Sequence, residues 1–157
     1  MRLFSLVLLT AVAGLVFADP EVDRLLEADE APAGVVFEIV EGEEDALRWA
    51  LPEVTRLSAR LRERFPDLPI AGGTQGREQF GLLANEAAGP VAASHGRAQQ
   101  WRAEAIDLHV CGVHAGWDGY TPEDFPAYVD VSASGPAQIS DYRNIGFVLI
   151  ELERPDP

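Results

Sequence analysis

Short apolar runs that suit β-strands alternate with helical stretches along most of this chain, and this alternation limits the fold more than any other feature of the sequence. The runs are rich in β-branched and aromatic residues and end close to glycine or polar residues, as buried strands do. They lie within residues 35–41, 68–76, 106–111, 128–131 and 147–152. Because helical segments separate them, we predict an α/β fold of three layers, with helices on both faces of a mainly parallel five-stranded sheet.

One long helix and several short ones are predicted between these strands. Residues 43–65 carry apolar side chains at helical spacing, with arginines and glutamates between them. Pro52 lacks a backbone N–H, so either the main helix begins with Pro52 in its first turn or a longer helix is kinked at Pro52. His95 lies in a further helical stretch and is interpreted as a surface residue. Shorter helices or helical turns are predicted at residues 77–84, 91–105, 121–126 and 134–142.

A glycine-rich loop, G-G-T-Q-G at residues 72–76, follows the second predicted strand. A loop of this kind between a strand and a helix can present backbone N–H groups to an anion. The spacing G-G-x-x-G, however, matches neither the dinucleotide-binding pattern nor the P-loop pattern. A plain tight turn is therefore the simpler interpretation.

The first eighteen residues have the features of a secretory signal peptide. Arg2 supplies a positive start, residues 3–17 are apolar, and the chain reaches an acceptable cleavage site at Ala18. The apolar run is short for a spanning helix and acidic residues follow it, which makes a membrane anchor the less favoured alternative. We therefore expect a periplasmic or otherwise exported protein that has no membrane association once residues 1–18 are removed.

The rest of the 157-residue chain is expected to form one acidic domain. Residues 19–34 are acidic and contain two prolines, so we predict a flexible leader there. Residues 35–157 have a suitable length for a single hydrophobic core. The net charge of −14 argues against nucleic acid and anionic membrane as partners, and its usual effect is solubility.

The side chains best suited to chemistry lie together in residues 106–118, which contain the only cysteine, two of the three histidines and one tryptophan. Cys111 is expected at the carboxyl end of the third strand, where α/β proteins commonly place their sites. The alternation of side chains along a strand puts His109 and Cys111 on one face of the sheet. His114 and Trp117 are then expected in the loop that follows.

A single cysteine excludes an intramolecular disulfide but leaves several alternatives open. In an oxidising compartment an unpaired thiol is buried and inert, paired between chains, or reactive. A reactive thiol acts as its thiolate, which a nearby imidazolium or a helix N-terminus favours. The pattern H-x-C-x-x-H formed with His109 and His114 also suits zinc or copper, but the signal is weak without a second cysteine. We therefore expect no metal or other cofactor.

Two stretches of this sequence resemble the DsrE/DsrF-like family, which has the YchN-like fold. One is I-D-L-H-V-C with the glycine- and alanine-rich segment after it, and the other is Y-V-D-V-S-A-S-G-P-A-Q-I-S-D-Y-R-N-I-G-F. The resemblance extends from residue 35 to about residue 152. It implies a three-layer domain with flavodoxin-like layering that assembles into trimers or hexamers. In sulfur-relay members, a cysteine at the end of a strand carries sulfur as a persulfide, and Cys111 stands at the matching position.

The resemblance and the export signal together imply an exported persulfide carrier or sulfurtransferase-type relay protein. In this hypothesis Cys111 takes sulfur from a donor and passes it to an acceptor protein. His114 and His109 are candidates to tune the thiol, and Trp117 is a candidate to limit the access of water. The alternative class is a non-catalytic oligomeric binding or structural module in which Cys111 is a buried core residue. A metal-binding protein that uses histidine and cysteine is less favoured than either.

Overall fold

The computed structural model describes residues 19–154, and the strands in this part of the chain form one sheet. The strands are β1 (Gly34–Ile39), β2 (Ile70–Thr74), β3 (Ile106–Cys111), β4 (Asp130–Ser132) and β5 (Phe147–Glu151). Their order is β4-β3-β2-β1-β5, and every neighbouring pair is parallel. The predicted α/β fold with a mainly parallel five-stranded sheet is therefore confirmed.

Helices cover both faces of this sheet. They are α1 (Pro20–Leu26), α2 (Leu47–Arg64), α3 (Ala92–Ala103), α4 (Gly112–Trp117) and α5 (Gly135–Asn144), with short 3₁₀ helices at Arg77–Leu82, Ala84–Glu86 and Pro122–Asp124. The main hydrophobic cluster joins α1, α2 and α3 to one face of the sheet. A smaller cluster, Val36, Ala71 and Ile139, joins α5 to the other face. Successive residues of β1, β2 and β5 therefore contribute to opposite clusters, as the alternation of side chains requires.

The helix predicted at residues 43–65 forms as a single helix, α2, that continues through Pro52. Because Pro52 has no N–H, it cannot donate to the carbonyl four residues earlier, that of Arg48. One turn later, the Thr55 hydroxyl donates to the Leu51 carbonyl at 2.8 Å. The buried side chains of α2 form one apolar stripe against the sheet: Leu47, Ala50, Leu51, Val54, Leu57 and Leu61.

The flexible leader predicted at residues 19–34 differs from the structure, because α1 lies within it. Asp19 caps this helix, and its carboxylate accepts two backbone N–H groups of the first turn at 3.0 Å. Val22 and Leu25 are buried against the rest of the protein. Their spacing of three residues is helical, although the prolines and the acidic composition suggested disorder. The predicted signal peptide, residues 1–18, lies outside the described part of the chain.

No helix within residues 19–154 has both the length and the apolar character needed to cross a bilayer. The long helix α2 illustrates the reason, since its exposed face carries charged side chains such as Arg48, Glu63 and Arg64. Its apolar residues instead form a stripe against the sheet.

Candidate functional site

Cys111 is the last residue of β3, and only 4% of it is exposed. Its sulfur accepts a hydrogen bond from the backbone N–H of Gly135, the first residue of α5, with Sγ and N 3.3 Å apart. Its own backbone N–H donates to Oε1 of Gln79 at 2.8 Å. The predicted position of Cys111 at the carboxyl end of the third strand is confirmed. The thiol lies where the end of this strand meets the beginning of a helix.

Two glycines allow the backbone to close around Cys111. A Cβ atom on Gly135 would lie 3.1 Å from the Cβ of Cys111 and 2.7 Å from Oε1 of Gln75. A Cβ atom on Gly112 would lie 2.7 Å from the carbonyl oxygen of Ser132. A side chain at residue 112 would collide with backbone, and one at residue 135 would press on Cys111 and displace the Gln75 side chain, so glycine at both positions favours this close packing of the thiol.

His109 and Cys111 face the same side of the sheet, as predicted, since both contact α5. His109 Nε2 lies 2.8 Å from the Tyr142 hydroxyl, however, whereas Cys111 contacts the opposite end of the helix at Gly135. Burial lowers the pKa of His109, and burial also raises the pKa of Tyr142 to about 12. Burial therefore disfavours the charged imidazole, and the ring is held by a phenol, so the geometry gives it a packing role.

His114 and Trp117 lie in α4 rather than in the predicted loop. Two glycines in this segment disfavour a helix, but Ala115 is buried, and its carbonyl accepts the backbone N–H of Tyr120 at 2.9 Å. This tertiary packing outweighs the local preference. Trp117 is 79% exposed, and its ring packs against that of His114 with centroids 5.8 Å apart.

His114 is anchored to the residue that follows β2. Its Nδ1 lies 2.7 Å from the backbone carbonyl oxygen of Gln75. Because a carbonyl oxygen can only accept, Nδ1 carries the proton, and the unprotonated nitrogen of the neutral ring is Nε2. Thr74 pairs in register with Val110, so Gln75 lies beside Cys111 at the edge of the sheet. The structure thus places His114 at the cysteine edge, whereas His109 contacts the far end of α5.

The glycine-rich loop after β2 binds an anion that belongs to the protein itself, the carboxylate of Glu78. This side chain is completely buried. It accepts the backbone N–H groups of Glu41 at 2.8 Å, Gln75 at 3.1 Å and Gly76 at 2.9 Å, and it also accepts the Thr74 hydroxyl. The loop does present N–H groups to a negative charge, but they are occupied by an internal carboxylate. The loop therefore fits the interpretation as a tight turn better than the interpretation as a site for an external anion.

Two further carboxylates lie close together at the same edge of the sheet. Glu38 of β1 pairs in register with Glu151 of β5. Burial, and then the negative charge of Glu151, raise the pKa of Glu38, while a hydrogen bond from the Gln75 side-chain amide lowers it. Glu38 is therefore less stable as an anion in the folded protein than in the unfolded chain.

We expect Glu38→Gln to stabilise the protein at neutral pH by about 0.2–1 kcal/mol, the usual cost of like charges directly opposite each other in a sheet. The folded pKa lies above the ordinary 4.5, so the contribution of Glu38 is fully present below that value and is lost as the pH rises through the folded pKa. Urea unfolding at acidic and neutral pH measures the difference. Glu63→Gln, at an exposed position of α2, is the control. A gain that is equal at both pH values would contradict this explanation.

Two buried polar residues were not predicted from the sequence, and one of them, Gln79, contacts Cys111. Gln79 is completely buried; its Oε1 accepts the Cys111 N–H, and its Nε2 has no hydrogen-bond partner among the described residues. His95 was predicted at the surface but is 2% exposed, with Nδ1 2.6 Å from the Tyr128 hydroxyl. Burial lowers the pKa of His95. Neither residue belongs to an apolar run or a motif, so no sequence signal indicated these contacts.

The positions of the side chains give no support to a metal site. Within residues 19–154, no group of three or more His, Cys, Asp or Glu side chains is arranged to hold a metal ion. The two histidines of the H-x-C-x-x-H pattern have other partners, since His109 contacts Tyr142 and His114 contacts the Gln75 carbonyl. The pattern in the sequence does not become a coordination sphere in the fold.

Comparisons with known proteins bear on the fold alone. The chain matches no protein-family model, and no curated protein matches it either. Among solved structures, it is similar to a protein of unknown function, MTH1491, from Methanobacterium thermoautotrophicum, with a TM-score of 0.61 and 19% sequence identity. The match covers 75% of this chain and 97% of that one. This likeness agrees with the α/β fold described above.

Proposed function

We propose that this protein is an exported member of the DsrE/DsrF-like family that carries sulfur on Cys111 as a persulfide. In this proposal it acts in the periplasm or another exported compartment, as a homo-oligomer that exchanges sulfur with a donor and an acceptor protein. The family assignment rests on the resemblance of the sequence around Cys111 and of the later segment that contains Gly135.

The observation that carries the proposal is the contact between the Cys111 sulfur and the Gly135 backbone N–H, 3.3 Å apart. The donor is at the first turn of a ten-residue helix, where N–H groups have no partner within the helix and the helix dipole favours negative charge. A fixed N–H of this kind can stabilise the charge that a sulfur atom carries during transfer. His114, in α4 and anchored to the Gln75 carbonyl at the adjacent strand end, is the proton-transferring side chain that we propose acts with the thiol.

The proposed chemistry exchanges one sulfur–sulfur bond for another at each step. The Cys111 thiolate attacks the outer sulfur of a persulfide donor, so the S–S bond of the donor breaks, the donor leaves as a thiolate, and Cys111 becomes a persulfide. An acceptor thiolate then attacks the outer sulfur of that persulfide. This step forms the acceptor persulfide and returns Cys111 to its thiolate. Neither step needs an oxidant, a reductant or a cofactor.

Access to the sulfur requires a local opening of the carboxyl edge, because Cys111 is almost buried. Helix α4 begins directly after Cys111 and is short, with Val113 and Trp117 exposed on its surface. Short elements with few buried contacts are the ones that open at low free-energy cost. We therefore propose that movement of α4 exposes the thiol.

We expect the protein to gain the mass of one sulfur atom when it is incubated with a low-molecular-weight persulfide and then analysed by intact-mass spectrometry. The added sulfur should be removed by a thiol acceptor. Cys111→Ser, which keeps the size of the side chain, should gain no sulfur. His114→Ala should slow the transfer more than His109→Ala, since only His114 lies at the cysteine edge. If the native protein gains no sulfur, and a maleimide reacts with Cys111 only after denaturation, the carrier proposal fails.

The low exposure of Cys111 specifically favours the second candidate, a non-catalytic oligomeric module with an inert buried thiol. The two proposals differ in the rate of alkylation of the native protein. In the carrier, local opening makes Cys111 react under conditions where the fold is intact. In the inert module, the rate follows global unfolding and rises with denaturant in parallel with it.

A further inference from the structure

The open edge of the sheet at β5 has no part in the proposed sulfur chemistry. Among the described residues, β5 pairs with β1 alone. The backbone N–H of Leu152 donates to the Glu38 carbonyl at 2.9 Å, so the even-numbered residues of this segment face β1. By the alternation of the strand, the backbone groups of Phe147, Leu149 and Glu151 point away from the sheet. These groups are available to a further strand.

The sequence of β5 lacks the devices that usually protect a sheet edge. Proteins commonly place proline, lysine, a bulge or a covering segment at such a strand. β5 instead has four apolar residues in succession, Phe147–Ile150, followed by Glu151. Beside it lies an open groove of about 560 Å³. The groove is lined by Glu21, Arg143, Phe147, Val148, Leu149 and Glu151.

Charges of opposite sign lie at the two ends of this edge. Arg143 is near the end of α5, just before β5 begins, and its side chain forms no ion pair or hydrogen bond within residues 19–154. Glu151 closes the strand and pairs in register with another carboxylate, that of Glu38. Phe147 and Leu149 pack on the α5 side of the sheet, so alternation places Glu151 on that side as well. The edge therefore has an unpaired cation at its start and an unpaired anion at its end, on one face.

We propose that this edge pairs antiparallel with β5 of a second copy of the chain, about a twofold axis at Leu149. In this register, Phe147 lies opposite the partner's Glu151, and the two side chains share a face. Arg143 then lies beside the partner's Glu151, and the symmetry makes the same contact twice. A second copy fits this edge because, in the antiparallel arrangement, Arg143 of each copy lies beside Glu151 of the other. The same contact supplies Glu151 with a cation partner, which it lacks among the described residues of one chain.

The test measures self-association of the purified protein by sedimentation velocity over a range of concentrations. Moderate salt is needed, because each copy has a net charge of −14 and the long-range repulsion must be screened. Arg143→Glu places like charges together at both ends of the interface and is expected to weaken association roughly tenfold to hundredfold. Glu151→Arg should have a similar effect, and the double variant should regain association, since the pair is then restored with reversed signs.

Two controls distinguish this interface from other effects. Arg48→Glu makes the same charge change at an exposed position on α2, and it should leave association unchanged. Leu149→Pro removes an N–H that points to the open edge, so it should weaken association without affecting the hydrogen bonds to β1. Circular dichroism of each variant, together with recovery of association in the double variant, separates loss of the interface from loss of the fold. A protein that is monomeric at every concentration, or one whose association is insensitive to Arg143→Glu, overturns the proposal.

Discussion

Glu78→Ala is expected to lower the free energy of unfolding by about 3–5 kcal/mol, although Glu78 belongs to no recognisable motif. The carboxylate is completely buried and accepts three backbone N–H groups and one hydroxyl. Alanine leaves these donors buried without an acceptor and also leaves a cavity, and each unsatisfied donor costs roughly 1–3 kcal/mol. Partial relaxation of the loop toward water makes the sum smaller than the separate costs. Urea unfolding monitored by circular dichroism measures the change.

Two further variants show whether the effect comes from the hydrogen bonds of Glu78. Glu78→Gln keeps the size and one acceptor oxygen, but its NH₂ group faces donors, so it should also destabilise the protein, by less than alanine does. Glu63→Ala, at an exposed position of α2, should change the stability by no more than about 0.5 kcal/mol. If Glu78→Ala were as mild as Glu63→Ala, the loop would not depend on this carboxylate.

Trp101→Ala is expected to cost about 3–5 kcal/mol, the usual range for removing a buried aromatic side chain. Trp101 is completely buried between α3 and the sheet, and its Nε1 donates to the Thr55 hydroxyl at 2.9 Å. Its ring covers Gly72 of β2, where a Cβ atom would lie 2.6 Å from Cζ3. The substitution removes a large apolar surface, leaves a cavity and takes away the hydrogen-bond donor for Thr55. Chemical denaturation measures the loss.

The contact between Trp101 and Gly72 predicts a non-additive pair of substitutions. Gly72→Ala alone should be destabilising, because its methyl group collides with the ring. In the Trp101→Ala protein the same methyl group enters the cavity, so the second substitution should cost roughly 1–3 kcal/mol less than it does alone. Gly96→Ala is the matched control, since it lies on the same helix as Trp101 and its Cβ would meet no atom within 4 Å. Additive effects would show that the ring does not restrict residue 72.

The strands of this protein could be predicted because their signals are local. β1 and β5 are rich in β-branched and aromatic residues, and each ends within a residue or two of its predicted limit. The position of Cys111 followed from the same pattern, since glycine ends the apolar run directly after it. Strand alternation then indicated correctly that His109 and Cys111 face one side.

The features that could not be predicted depend on contacts between distant parts of the chain. Glu78 bonds the backbone of Glu41, 37 residues earlier, and Gln79 bonds that of Cys111, 32 residues later. Both side chains resemble ordinary polar residues of a helix until the fold brings these groups together. Helix α4 was missed for a related reason, because its two glycines argue against it and the burial of Ala115 is visible only in three dimensions.

Because the Glu78 carboxylate occupies the glycine-rich loop, this loop is ordered before any ligand reaches this edge of the sheet. A glycine-rich loop of this kind presents its N–H groups to a phosphate, and any free energy spent on ordering the loop when the ligand binds reduces the affinity. Here the loop carries its own anion, and its shape is set when the chain folds. A molecule that approaches Cys111 therefore meets a glycine-rich loop whose shape is already fixed. An anionic ligand of this loop would first have to displace the Glu78 carboxylate.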